Sequence, residues 1–336
     1  MSSTNLINDN NTITNDNTIT NDNIKLDNQD NKEEDNIRLD NQDNKGKEDK
    51  KKEKENKKKI RNLAFSGGGL KGLCLIGFIK YLSEYPDYFD IKKIIGSSIG
   101  SLVGLLVVLG YNYEELENEI LNFNIKKIQD ISAKTIINFP KTYCIDTGNK
   151  YIDYIKEFLE RKGLSPYITL NQLYQHSNIH FIVNASCLND YKEYNIDHIL
   201  YPDMPVWLAV RISCALPILF SPLEYDNKIF VDGGIIDDYP IKYFKNDLEH
   251  TIGYYFCEPK VENMNQSFMS YFSLILNCMK YGNCEFSNIT YANNTVSIDA
   301  SKIDIYQSTI NINIINEVME KIYNDTNELV NKLVNK

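Results

Sequence analysis

An α/β fold is predicted for this 336-residue chain by three observations. Two strand–glycine turn–helix units follow one another between Asn62 and Leu109. Short apolar strand patterns then alternate with longer helical ones further along, the arrangement that builds a sheet flanked by helices. Finally, about 277 residues remain once a polar N-terminal stretch of 59 is set aside, enough for one large domain with a deep core.

The first unit runs from the buried-strand pattern Asn62-Leu63-Ala64-Phe65 into Ser66-Gly67-Gly68-Gly69-Leu70-Lys71-Gly72. A helical pattern follows from Leu73 to Leu82. Three consecutive glycines turn the backbone sharply and leave N–H groups bare at a helix start, where phosphate or a developing oxyanion is bound. A plain flexible turn is the simpler reading. Gly67, Gly69 and Gly72 also satisfy G-x-G-x-x-G, but a dinucleotide site wants an acidic residue at the end of the next strand. Asp87 and Asp90 are read as lying before that strand, which ends in a serine turn instead. No Gly-Lys-Ser/Thr ending is present, so a phosphate-binding P-loop is excluded.

The second unit pairs a strand at Lys92-Lys93-Ile94-Ile95 with a helix that ends at Gly110. Between them stands Gly96-Ser97-Ser98-Ile99-Gly100. A G-x-S-x-G at a strand-to-helix turn is a nucleophile elbow: the flanking glycines relieve crowding, and the serine hydroxyl emerges at the helix N-terminus. Much later, Phe230-Val231 delivers Asp232 into Gly233-Gly234. Alone, Asp232 is an Asx-turn residue as readily as a catalytic one. Beside a serine elbow it is the natural general base.

Histidine supply decides among serine chemistries. Only His176, His180, His198 and His250 are available, and Ser98…Asp232…His250 has the chain order of an α/β-hydrolase triad. That reading is disfavoured, because such folds place several strands before the elbow and here Ser98 lies only 37 residues after Arg61. His250 is better placed as the polar lead-in to a strand from Thr251 to Phe256.

Gly67-Gly68-Gly69-Leu70-Lys71-Gly72, the Ser98 elbow and Asp232-Gly233-Gly234 stand in the order and spacing of the patatin-like phospholipases, which this chain resembles. The stretch from Arg211 to Pro222 looks like that family's segment before its Asp-Gly-Gly. The resemblance spans about Leu63 to Pro240. It implies a three-layer α/β/α sandwich with a mostly parallel central sheet, a Ser–Asp dyad, and hydrolysis of lipid acyl esters through an acyl-enzyme. It makes Ser98 the nucleophile, Asp232 the base, and Gly67, Gly68 and Gly69 the oxyanion donors. Lys71, Gly72, Gly96, Gly100, Gly233 and Gly234 support these motifs, and no metal or cofactor is implied. One departure stands out: Asp238 occupies a position where family members often carry asparagine. A further negative charge there would raise the pKa of Asp232. Lys71 offsets that charge, attracts an anionic head group, or is simply a solvated lysine at a helix start.

Residues 1–59 read as a low-complexity disordered tail. Thr12–Asn17 repeats as Thr18–Asn23, and Asn23–Lys32 returns as Asn36–Lys45 with one change, repeats too polar to stack a core. From Lys45 to Lys59 nine lysines face four acidic residues. That run serves as a solvated spacer, a contact to an anionic membrane surface, or a nucleic-acid or nuclear-import segment. The overall charge of −10 disfavours nucleic acid as substrate of the folded domain. Seven cysteines without metal-like spacing read as reduced thiols, mostly buried. Without a hydrophobic leader, lipidation signal or ~20-residue apolar run, the expectation is a cytoplasmic protein, peripheral at membranes if its tail engages them.

The catalytic domain is expected over 60–245, with 246–336 as a C-terminal extension packing on it. Within it, helices are predicted at Tyr113–Phe123, after a Thr147 cap, around Leu170–His176 and from Pro205 to Arg211. Phe181–Ala185 should pair with Tyr191–Ile196 as a hairpin. Ser213, Cys214 and Ala215 read mainly as packing space beneath the dyad. The segment from Ser267 to Tyr281 is apolar nearly all round and is expected to be a buried helix, with a lipid-facing lid as the alternative. An amphipathic helix from Ile314 to Val334 closes the domain. Two function classes follow: a lipid acyl hydrolase, or a catalytically idle relative that only binds membranes or a partner.

Overall fold

The computed structural model describes residues 58–257, 268–303 and 311–335. The readings placed on the repeats and on most of the lysine run therefore lie outside the described residues. Of that run Lys58 and Lys59 are described, with Lys58 paired to Glu249 at 3.2 Å.

A mixed, mostly parallel sheet organises the chain. Its order is β10 (Thr295–Asp299), β9 (Thr251–Cys257), β1 (Ile60–Phe65), β2 (Phe89–Ser97), β4 (His180–Cys187), β8 (Lys228–Asp232) and β7 (Leu223–Tyr225). The hairpin partner β5 (Lys192–Asp197) also pairs with β4. From β10 to β4 all pairings are parallel, whereas β4–β5, β4–β8 and β8–β7 are antiparallel. β3 (Cys144–Asp146) and β6 (Ile218–Phe220) form a separate pair. The C-terminal extension is thus integral, since β9 and β10 extend the sheet beyond β1.

Alternation along the strands divides the core in two. Leu63, Phe65, Ile94, Phe181, Val183, Ile252 and Tyr254 face the larger cluster, with α1 (Ile76–Glu84), α2 (Ile99–Val108) and α9 (Ile312–Val334). Ala64, Ile95, Ile182 and Tyr255 face a thinner one, covered by the 3-10 turn Pro240–Phe244. The two faces make a layered α/β/α arrangement with unequal outer layers.

Most expected elements are present: α3 (Tyr113–Leu121), α6 (Leu170–Ser177), α7 (Val206–Ser213) and the β4–β5 hairpin. Four details differ. A 3-10 turn, Gly69–Leu75, precedes α1, so the helix starts later than Leu73. β2 begins at Phe89 and takes in Asp90, although its end is still the serine turn. The cap of α5 (Asn149–Arg161) is Gly148 at φ 74°, with Thr147 one residue earlier donating its hydroxyl to Asp130 at 2.5 Å while its oxygen accepts the Asn149 N–H at 3.4 Å. α8 (Phe268–Thr290) is longer than its pattern and is only partly buried among its described side chains: Ser287 is buried and Leu274 and Leu276 are half-buried, but Tyr271, Ile275, Met279, Phe286 and Ile289 are exposed. It lies against the turns Gly233–Ile235 and Pro240–Phe244 without being enclosed by them. Of the described apolar side chains that argued for burial, Tyr271, Ile275 and Met279 are turned to the outside.

Candidate active site

The site forms where two strands meet head to head. β2 pairs with β4 in parallel as far as Ser97 opposite Asn184, and β8 pairs antiparallel with it as far as Asp232 opposite Ala185. β5 occupies the other edge of β4 over Ile182–Cys187, so β2 and β8 share one edge and point their C-terminal ends at each other. Ser98 and Asp232, 134 positions apart in sequence, are brought together by this register. Ser98 Oγ donates to Asp232 Oδ2 at 2.7 Å.

Ser98 sits at φ 51°, ψ −128°, outside the regions that side chains prefer, a strain of roughly 1–3 kcal/mol. Its surroundings enforce that conformation. A methyl group on Gly100 would lie 2.5 Å from the Phe65 carbonyl oxygen, and one on Gly96 would collide with the Gly100 carbonyl. Only glycines therefore let the elbow nest against the end of β1. The Ser98 N–H is donated to Ser213 Oγ at 2.8 Å, and Ser213 Oγ in turn donates to the Asn184 carbonyl at 2.6 Å. Ser213 is consequently more than packing space: it ties the elbow to β4. The Ser98 carbonyl accepts from both Ser101 N–H and Ser101 Oγ, which locks the first turn of α2.

Asp232 is buried at 4% exposure. Its Oδ1 accepts the Gly234 N–H at 2.8 Å, so the carboxylate is oriented by its own turn and keeps Oδ2 for the serine. Gly233 packs on the Asn184 carbonyl and Ser97 Oγ, with no room for a side chain. Asn184 Nδ2 donates to the Asp237 carbonyl at 2.5 Å and so braces the loop after Asp232. Neither Asn184 nor Ser213 was singled out for a role from sequence. A polar residue inside the apolar run Phe181–Ala185 was the available signal.

The glycine turn lies on the same side. Gly67 N–H is donated to the Asp238 carbonyl at 3.0 Å, so it is already engaged and is not free for an oxyanion. The Gly68 carbonyl accepts the Lys71 N–H at 3.3 Å, whereas for the N–H groups of Gly68 and Gly69 no partner is found among the described residues, and Gly69 is exposed at φ 56°. The Asp238 carboxylate presses against Gly67 and Gly234, either of which would collide with it if it carried a methyl. Lys71 is only 6% exposed, so the solvated-lysine reading does not hold. Gly72 gives Ile99 room to pack. Cys214, in contact with Ser101 and Tyr151, is a thiol pushed up to about 12 by burial and is inert near neutral pH.

Histidine is not part of this arrangement among the described residues. His250 Nδ1 is bound to Asp247 and His180 Nε2 to Asp197, each at 2.7 Å. The Ser98…Asp232…His250 triad is therefore not assembled. An apolar cleft reached by Ile99, the residue after Ser98, and lined further by Leu70, Leu102, Val103, Phe123 and Tyr151, has a cavity volume of about 50 Å³.

These features define a class: an α/β protein with a serine elbow facing a carboxylate, flanked by a glycine turn. The family model for patatin-like phospholipases matches residues 63–245, more than half of the chain, and the chain belongs to that family. A probable lipid hydrolase of Invertebrate iridescent virus 6 is 27% identical over 192 residues, covering 55% of this chain and 63% of the relative. An uncharacterized protein of Acanthamoeba polyphaga mimivirus is 26% identical over 205 residues, 61% of this chain and 68% of the relative. A lysophospholipase of Candida albicans is 24% identical over 191 residues, which are 56% of this chain but 12% of that protein. The crystal structure of VipD from Legionella pneumophila superposes with a TM-score of 0.55 at 15% identity, covering 82% of this chain and 67% of that one, a likeness of fold. Among the described residues no helix is long and apolar enough to cross a membrane.

Proposed function

We propose that this chain hydrolyses acyl esters of lipids through a Ser98–Asp232 dyad and a covalent acyl-enzyme. The observation that carries the reading is the 2.7 Å hydrogen bond from Ser98 Oγ to Asp232 Oδ2. Ser98 Oγ attacks the ester carbonyl carbon while Asp232 Oδ2 takes its proton. The carbonyl oxygen becomes an oxyanion facing the N–H groups of Gly68 and Gly69, with the positive end of α2 adding a smaller attraction. Asp232 returns the proton to the departing alcohol. Water, deprotonated by the same carboxylate, then releases the fatty acid and restores the serine. An ordinary carboxylate is a weak base, so the oxyanion donors must supply much of the rate, roughly 3–4 kcal/mol each at comparable sites.

The apolar cleft beside Ile99 fits an acyl chain in character, though about 50 Å³ holds only one or two waters. Binding a fatty chain therefore requires its wall to move. Lipid class and positional preference follow from the shape of the widened cleft and call for a panel of lipids with released fatty acids read by mass spectrometry. The dyad itself is tested with a fluorophosphonate probe. The full chain should be labelled and Ser98→Ala should not, with ester hydrolysis falling roughly 10⁴-fold or more in Ser98→Ala and Asp232→Asn. Full activity in purified Ser98→Ala would remove the assignment.

A further inference from the structure

The segment from Leu121 to Tyr143 is built the wrong way round for a protein surface. Its helix α4 (Ala133–Thr142) has no buried residue. Ile136 and Ile137 are 55% and 77% exposed, with exposed Pro140 on the same face, while polar Thr135 and Asn138 are the half-buried side chains beside Phe139. Leu121, Ile131 and Tyr143 add exposed apolar surface at 56%, 43% and 65%. An amphipathic helix in water turns its apolar stripe inward; this one presents it to the outside.

Charge is arranged around that stripe. The segment holds Lys126, Lys127, Lys134 and Lys141 against a single Asp130, in a chain of net charge −10. Lys134 and Lys141 fall together on one flank of the isoleucine face, at helical spacing of seven residues. Lys126, Lys134 and Lys141 are exposed and make no ion pair among the described residues; Lys127 reaches Glu119 only at 3.9 Å. Apolar side chains pointing outward, rimmed by unpaired lysines, match the boundary between acyl chains and anionic head groups. Continuity with the active site points the same way, since Phe123 and Ile128 of this segment wall the apolar cleft reached by Ile99, the residue after Ser98.

We propose that Leu121–Tyr143 is the membrane-docking element of this protein, seating Ile136 and Ile137 in an anionic lipid surface. Docking draws the segment toward the bilayer and widens the cleft wall at Phe123 and Ile128, so that the lipid surface itself opens the acyl site. The opening step rests on the lipid-hydrolase reading above, whereas the docking step does not.

The full chain is tested on vesicles of phosphatidylcholine with and without phosphatidylglycerol. Co-sedimentation should favour the anionic vesicles. Lys134→Glu/Lys141→Glu should weaken that binding by roughly tenfold or more, and Ile136→Asp/Ile137→Asp should weaken it comparably while leaving hydrolysis of a short-chain soluble ester unchanged. A local readout separates this helix from the basic tail: indole emission of Ile137→Trp should be quenched by brominated phosphatidylglycerol vesicles, beyond any quenching of the unsubstituted chain and its Trp207. Fluorophosphonate labelling of Ser98 reports the dyad independently, so a failed dyad and a failed docking element give different patterns. The proposal is overturned if the chain ignores anionic vesicles, if the double aspartate variant binds them unchanged, or if Ile137→Trp is not quenched. It is equally overturned if Ile136→Asp/Ile137→Asp instead dissociates a dimer in sedimentation, which would make the stripe a contact between two copies.

Discussion

The serine and the carboxylate of this site are held by opposite means. Ser98 stands on β2 and α2, a helix in which nine of ten residues are buried and almost all are apolar. Asp232 stands at the head of a loop that buries two more carboxylates, Asp237 and Asp238, and is backed by the partly exposed helix α8. One side is a rigid apolar wedge; the other is a charged loop with a modest cover. Strain at φ 51° persists on the first side because the core leaves it no alternative. On the second, orientation comes from individual hydrogen bonds, such as Gly234 to Asp232 and Asn184 to Asp237. Packing should dominate stability on the serine side, and pH should matter on the aspartate side.

The largest expected effect breaks the wedge. Leu105 is completely buried in α2, and Leu105→Ala should cost about 2–5 kcal/mol in chemical denaturation. A loss below about 1 kcal/mol would mean that α2 is not the rigid element described. Next, Gly100→Ala places a methyl against the Phe65 carbonyl and should cost about 1–3 kcal/mol while slowing fluorophosphonate labelling of Ser98. Unaltered labelling would show that the elbow has slack.

On the aspartate side, burial pushes Asp237 up to about 6, although Lys242 Nζ lies 3.0 Å away and pulls it down. The folded chain keeps this proton in a range where the unfolded chain has released it. Stability from this group therefore rises as pH falls from about 6 toward about 4, and is flat above that window. Asp237→Asn should remove the dependence, so thermal unfolding of the two proteins should diverge across the window by on the order of 1–3 kcal/mol. Parallel pH profiles would refute the idea. The smallest effect is expected for Ile275→Ser on α8, 39% exposed, within about 0.5 kcal/mol of the parent. A large loss there would make the two sides alike after all.

Much of this was legible because each motif is a backbone requirement that only certain residues meet. Gly96, Gly100 and the glycines at 67–69 mark places where chain segments approach too closely for a Cβ, and apolar periodicity marks the strands and helices between them. What periodicity cannot convey is which apolar helix finds a partner. α2 and the first half of α8 both read as apolar nearly all round, yet α2 lies between β1, β2 and β4 while α8 lies over a thin layer with little to enclose it. Hydrogen-bond competition was equally invisible: nothing in Gly67-Gly68-Gly69 says that the first N–H is claimed by Asp238, or that Ser213 reaches Ser98 across 115 positions.

The end-to-end approach of β2 and β8 along β4 has a consequence for how this protein tolerates change. The spacing of Ser98 and Asp232 is set by ladder positions on a single strand, Asn184 and Ala185, in steps of about 3.3 Å. Of the 133 residues threaded between Ser98 and Asp232, the loops outside β4 and β8 do not enter that measurement. Loops in the interval can lengthen, shorten or acquire new surfaces while Ser98 Oγ and Asp232 Oδ2 stay in place. A one-step slip of β8 would undo the spacing without altering either side chain.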